Sequence, residues 1–166
     1  MKANTLIISW LTLIYLSSCS EKYQPEKIYL PKNYIGWIYI VYNQKEGTKE
    51  REGGYRVYNI PKNGILLTQY DINQGWVSKN GIQIYRELED NKSELIPNEM
   101  DFNIDSSFRK TNANIIFGYS LPTHSCGKYV IYATFVDTLK NSYKYNTGEL
   151  FITESLIDSV KSNLIK

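Results

Sequence analysis

Tyr34-Ile-Gly-Trp-Ile-Tyr-Ile-Val-Tyr42 is the stretch whose reading decides the fold. Successive side chains of an extended chain point to opposite faces, so Ile35, Trp37, Tyr39 and Val41 share one side and Ile38, Ile40 and Tyr42 the other. Both sides are apolar or aromatic. A strand of this kind is either covered on both faces or turns its tyrosines into a half-exposed face.

The neighbouring sequence repeats this theme in short pieces. Asn43 to Gly54 (NQKEGTKEREGG) is charged and glycine-rich and reads as a long hairpin tip, after which Tyr55 to Ile60 resumes a strand. Pro61-Lys-Asn-Gly64 is a turn, with Pro suited to the first central position and Asn-Gly to positive φ. Ile65 to Tyr70 follows as a strand, Gln74 to Ser78 is ambiguous, and Gly81 to Leu88 alternates Ile82 and Ile84 with Gln83 and Tyr85. Residues 89 to 113 are irregular: Glu89 to Glu94 reads as a solvated loop, and Pro97 to Ser107 as a loop or an edge strand. Asn114 to Tyr119 and Lys128 to Val136 are two further strands joined by Ser120 to Gly127 (SLPTHSCG).

At the C-terminus the period changes. Leu156, Ile157, Val160 and Leu164 recur at helical spacing, and Thr153 can cap a helix of about residues 154–165. The apolar stripe is narrow, so this helix docks through few residues. Many short strands and one terminal helix predict a mainly-β domain over residues 28–166. The expected form is an antiparallel β-sandwich, transthyretin-like or immunoglobulin-like, rather than a closed barrel, because the turns are unevenly spaced.

Working back to the N-terminus, Lys2 precedes a mostly apolar run, Thr5 to Leu16. Twelve residues of helix reach about 18 Å, short of the ~30 Å hydrocarbon core of a bilayer. The run reads as the core of a signal peptide over residues 1–18. Leu16-Ser17-Ser18-Cys19 then resembles the lipobox of bacterial lipoproteins, in which a bulky apolar residue and two small ones precede the cysteine. Ser18 departs slightly from the usual glycine or alanine. The resemblance implies cleavage between Ser18 and Cys19, with lipid attached at Cys19 as a diacylglyceryl group and often a further acyl chain. Each buried CH₂ contributes about 0.8 kcal/mol, so two or more chains make a durable anchor where one is marginal. Residues 19–27, polar and broken by Pro25, read as a tether. Ser20 resembles the residue that follows the cysteine in lipoproteins released to an outer membrane.

Two segments, YLPKNYIGWIYIVYNQ (Tyr29 to Gln44) and RVYNIPKNGILLTQYDINQGWV (Arg56 to Val77), resemble a set of small bacterial lipoproteins known only as a domain of unknown function. The resemblance spans about residues 28 to 90. It implies an envelope address and a β-rich fold, and it names no catalytic residue.

Charge and cysteine content narrow the remaining choices. The chain has 19 basic and 17 acidic residues, a balance without the basic footprint of a nucleic-acid binder. If Cys19 carries lipid, Cys126 has no partner within the chain and the domain holds together without a disulfide; an unmodified Cys19 would instead pair with Cys126. His124 and Cys126 lie on one short segment, too few for a zinc site and without a third residue to orient a base. Carboxylate pairs such as Glu50 with Glu52 or Asp101 with Asp105 act as hydrolytic groups only if the fold sets them across a cleft. No cofactor is implied.

The 15 Tyr, 5 Phe and 3 Trp set the composition apart. Such side chains line half-buried sheets, and they also suit binding surfaces for sugars and proteins. The expected function is a non-enzymatic binding module, anchored to a membrane through lipid on Cys19, that engages an envelope protein or glycan through Trp37, Tyr39, Tyr42 and Trp76. The alternatives are a hydrolase of envelope polymers and a structural component of an envelope complex.

Overall fold

The computed structural model describes residues 23–74, 80–89, 92–98, 114–141 and 152–165. Trp76, Cys19, Ser18, Asp101 and Asp105 lie outside the described residues. The strands are β1 (Glu26–Leu30), β2 (Gly36–Val41), β3 (Glu50–Glu52), β4 (Tyr55–Asn59), β5 (Ile65–Leu67), β6 (Ile82–Glu87), β7 (Ser93–Ile96), β8 (Ile116–Cys126) and β9 (Tyr129–Thr138). They are followed by one helix, α1 (Glu154–Leu164). A five-stranded sheet has the order β3-β4-β1-β6-β7 and a four-stranded sheet the order β5-β2-β9-β8.

Two-sided apolarity in β2 has the predicted consequence. Ile38, Ile40 and Tyr42 join Ile28, Leu30, Tyr58 and Ile84 in the core between the sheets. Tyr39 and Val41 turn the other way, against Ile65, Leu67, Ile131, Ile152 and Ile157. The protein is therefore three layers deep, with the four-stranded sheet in the middle and α1 on its outer side. Thr153 caps α1 as expected, its Oγ1 accepting from the Leu156 amide at 3.3 Å. The narrow stripe also behaves as expected: Ile157 is fully buried, whereas Leu156 and Leu164 are exposed.

Strand direction differs from the expectation of an antiparallel sandwich. The pairs β2 with β9, β8 with β9, β3 with β4 and β6 with β7 are antiparallel. By contrast β1 pairs in parallel with both β4 and β6, and β2 with β5. Between β1 and β4, and again between β4 and β6, the chain visits the opposite sheet. The trip through β5 returns the chain in its original direction as β6, whereas the trip through β2 returns it reversed as β3, and the Gly53-Gly54 turn restores the direction in β4.

Residues 43–54 accordingly are not one hairpin tip. Gln44 to Thr48 crosses between sheets and docks on β5, with the Gln44 amide donating to the Thr68 carbonyl at 2.8 Å and the Thr48 amide to the Leu67 carbonyl at 2.9 Å. Gly47 is required there, since a Cβ would stand 2.4 Å from the Leu67 carbonyl carbon. Two tight turns divide the segment: Gln44 to Gly47, closed by the Gly47 amide on the Gln44 carbonyl at 3.0 Å, and Gly53-Gly54 between β3 and β4. The Pro61-Gly64 turn is present, closed by the Gly64 amide on the Pro61 carbonyl at 2.9 Å, with Pro61 at its first position rather than its first central one. The segment Ser120 to Gly127, read as a joining loop, is mostly strand: β8 runs through a bulge at Leu121/His124 to Cys126 and turns at Gly127. β7 lies in the region read as irregular, and β1 opens at Glu26, two residues before Ile28.

Candidate functional site

Because β4, β1 and β6 run parallel, the chain leaves all three at the same edge of the five-stranded sheet. The segments after β1 (Pro31 onward), after β4 (Ile60 to Lys62) and after β6 (Leu88 and Glu89), with Lys92 before β7, converge there. They enclose a cleft of about 500 Å³, within the range of small-ligand sites. Tyr29, Leu30, Pro31, Ile60 and Pro61 supply an apolar wall, and Asn59, Lys62, Glu87, Lys92 and Ser93 supply polar groups. A second hollow of about 570 Å³ shares Pro31, Lys62 and Glu87 with the first and extends it past Lys32, Asn33 and Tyr34.

The cleft opens onto the outer face of the five-stranded sheet. The inward positions of β1 and β6 are Ile28, Leu30, Ile82 and Ile84; the outward ones are Lys27, Tyr29, Gln83 and Tyr85. Cross-strand register puts Tyr29 opposite both Asn59 and Tyr85. The Tyr29 and Tyr85 rings stack at 5.2 Å between centroids, and the Lys27 ammonium lies 5.1 Å from the Tyr55 ring centroid. Hydrogen bonds hold this face in place: Tyr29 Oη donates to Glu52 at 3.0 Å, and Asn59 Nδ2 to Glu50 at 2.7 Å. Lys27 also bonds to Glu52, which keeps the carboxylate below its ordinary range and the ammonium above its own. Glu50 and Glu52 are thus occupied as acceptors for neighbouring side chains rather than paired across a cleft.

At the opposite end of β1 the chain enters the domain through a buried polar knot. Glu26 is 2% exposed and accepts from Tyr23 Oη at 2.7 Å, Tyr58 Oη at 3.0 Å and Asn73 Nδ2 at 2.8 Å. Burial pushes its carboxyl above the ordinary range, opposed by those three donors and by the Arg56 charge. Arg56 in turn donates to the Asp71 carbonyl at 2.7 Å and to Gln24 Oε1 at 3.1 Å, with its guanidinium 4.8 Å from the Tyr70 ring. Asn73 also binds both backbone groups of Gln24, accepting from its amide at 3.0 Å and donating to its carbonyl at 2.6 Å. This end is clamped; the other end is open.

The aromatics singled out from the sequence do not make one surface. Tyr42 is buried in the sandwich core and Tyr39 beneath α1, on opposite faces of β2. Trp37 is half-buried on the helix side, edge-on to Phe135 at 5.0 Å and stacked with Tyr39 at 6.0 Å. The aromatics on the outer face of the five-stranded sheet are Tyr55, Tyr29 and Tyr85, all half-buried. Their signal in the sequence is the alternation Lys27/Tyr29 and Gln83/Tyr85, which assigns faces only once the inward isoleucines are known. His124 Nδ1 lies 3.0 Å from the Pro122 carbonyl, and Cys126 Sγ points to the Ile152 carbonyl at 3.7 Å. Burial and then the Glu154 charge push the Cys126 thiol up, which disfavours the thiolate a nucleophile needs.

A third hollow, of about 480 Å³, lies where α1 meets β9 and is lined by Tyr129, Lys128, Asp158 and Lys161. Its lysines are paired, Lys128 with Asp158 at 3.0 Å and Lys161 with the neighbouring Glu46 at 3.1 Å, and these pairs tie α1 to β9 and to the crossing segment. Among the described residues no three His, Cys, Asp or Glu side chains gather as a cation site, and no helix is long and apolar enough to cross a membrane.

No curated protein matches the chain. A 2.75 Å crystal structure of a "Putative Lipoprotein from Bacillus anthracis" is similar at 14% identity, covering 84% of this chain and 93% of that one with a TM-score of 0.46. The family model for DUF6843, a family of unknown function, matches residues 23–160, and the chain belongs to that family.

Proposed function

We propose that this protein is a lipid-anchored binding module of the bacterial cell envelope, tethered through Cys19, that takes a glycan in the cleft at the ends of β1, β4 and β6. The observation that carries the reading is the convergence of three parallel strand ends on a pocket with one apolar, tyrosine-bearing wall and a rim of amide, hydroxyl and amine groups. Sugars present an apolar ring face and a fringe of hydroxyls, and such a wall and rim complement both. Among the described lining residues Glu87 is the one carboxylate, whereas hydrolysis by paired carboxylates needs two. Binding is therefore favoured over cleavage.

Position supports the same reading. Cys19 lies four residues before Tyr23, a reach of at most about 14 Å. The lipid therefore holds the end of the sandwich where Glu26 and Asn73 clamp the entering chain. Five residues of β1, about 16 Å, separate that end from the cleft. An anchored molecule presents its cleft away from its own bilayer, toward envelope polymers.

Two measurements test this. Titration of the full chain with envelope glycan fractions is expected to show binding that Tyr29→Ala with Asn59→Ala weakens about tenfold, the equivalent of ~1.4 kcal/mol. Unchanged affinity in that variant would remove the cleft from consideration. In cells, incorporation of a radiolabelled acyl chain is expected to vanish in Cys19→Ala, and label persisting there would sink the anchor assignment.

A further inference from the structure

We infer that the ligand of this cleft is an anionic glycan, whose phosphate or carboxylate groups are taken by Lys62 and Lys92. The inference rests on the glycan-binding reading above and specifies the charge of the ligand.

Each converging segment brings a lysine to the site: Lys32 after β1, Lys62 after β4 and Lys92 before β7. Lys32 is held by Glu89 at 2.7 Å. Lys62 and Lys92 are exposed and make no ion pair among the described residues. Lys62 lines both hollows, so its charge sits where the two join. Against three lysines the combined lining carries one carboxylate, Glu87. With Glu89 counted beside Lys32, the site keeps an excess of one positive charge, from Lys62 and Lys92 against Glu87.

The rest of the lining indicates what bears the negative charge. Two joined hollows of about 500 and 570 Å³ make an elongated site, matched to a polymer segment more than to a free ion. Tyr29, Pro31 and Pro61 offer an apolar wall that an inorganic anion would not use. Lysine is a flexible point charge that accepts phosphate or carboxylate without strict geometry, so the class is an acidic glycan or a phosphodiester-linked polyol chain. The distance of the cleft from the lipid-bearing end argues against lipid headgroups as the source.

Calorimetric titration of the full chain and of Lys62→Gln/Lys92→Gln tests this, with four probes: polyglycerol phosphate, a uronic acid oligomer, a neutral oligosaccharide of equal length, and vesicles containing anionic phospholipid. One anionic polymer is expected to bind at least about tenfold more tightly than the neutral one, and that preference should disappear in the double variant. It should also disappear near 1 M salt, where the screening length falls to about 3 Å. Which polymer binds distinguishes phosphate from carboxylate. The substituted side chains are exposed, so the thermal midpoint should stay unchanged and show that the variant is folded. Equal binding of neutral and anionic oligomers, unaffected by the variant, would overturn the charge assignment while leaving glycan binding intact. Failure of every glycan to bind would overturn both. Binding to anionic vesicles in place of the polymers, lost in the variant, would make the site a membrane contact and overturn the inference.

Discussion

Glu26→Ala is expected to lower the free energy of unfolding by about 3–5 kcal/mol, because it removes, at a buried site, the acceptor shared by Tyr23, Tyr58 and Asn73 and the carboxyl beside Arg56. Tyr23, Tyr58 and Asn73 all donate to this carboxyl, and two of them come from other parts of the chain. Glu26→Gln keeps the shape and an acceptor oxygen, and it separates the packing role from the charge. Burial, the dominant cause, raises the carboxyl above its ordinary value near 4.5 in the native protein. The native state then binds the proton more tightly than the unfolded chain does. Stability contributed by protonated Glu26 is complete below the ordinary value and is lost as pH rises through the raised one. In denaturant titrations at a series of pH values, Glu26→Gln should gain on the native protein from about pH 4.5 toward neutrality. Parallel profiles for the two proteins would show that the three donors and Arg56 cancel the effect of burial.

Ile40→Ala should cost a similar amount, about 3–5 kcal/mol, for a different reason. Ile40 is fully buried at the centre of β2 and fills the space between the sheets, so truncation loses its transfer energy and leaves a cavity that two hydrogen-bonded layers cannot close. Ile157→Ala removes a side chain that is equally buried, but from the edge of the third layer. Its expected cost is nearer 2 kcal/mol, with faster amide exchange in α1 while the sheets stay protected. Exchange that rises equally in α1 and β2 would contradict a helix docked as a separate layer. The Glu26 knot and the cleft lie at opposite ends of β1. Damage at the knot therefore tests folding, and damage at the cleft tests binding.

Several elements were legible because their causes are local. Alternation in β6, the capping hydroxyl of Thr153, the Pro61-Gly64 turn and the spaced apolar residues of α1 each depend on a few neighbouring residues. β7 is not legible in the sequence because three of its four residues are exposed, leaving Ile96 as the sole buried position to report a strand. The segment from Ser120 to Cys126 reads as a loop because Pro122 sits in it, and proline is tolerated where a strand bulges. The site was less legible than the fold. Aromatics in the most apolar strand drew attention, and that same apolarity buries Tyr39 and Tyr42. Tyr29 and Tyr85 give no such signal, because each stands in a strand of ordinary polarity.

By itself the sequence determined that this protein is built of short strands, that β2 must be covered on both faces, and that a capped helix with a narrow apolar stripe ends it. Those properties follow from side-chain periodicity and turn chemistry, which act over a few residues. Only the tertiary structure decided that β4, β1 and β6 run parallel, that Gln44 to Thr48 crosses between layers, and that Lys32, Lys62 and Lys92 meet around one cleft. A turn reverses the chain in the same way whether the next strand pairs with the last or crosses to the opposite sheet. The choice is made by which arrangement buries both faces of β2, and that depends on residues far apart in the chain.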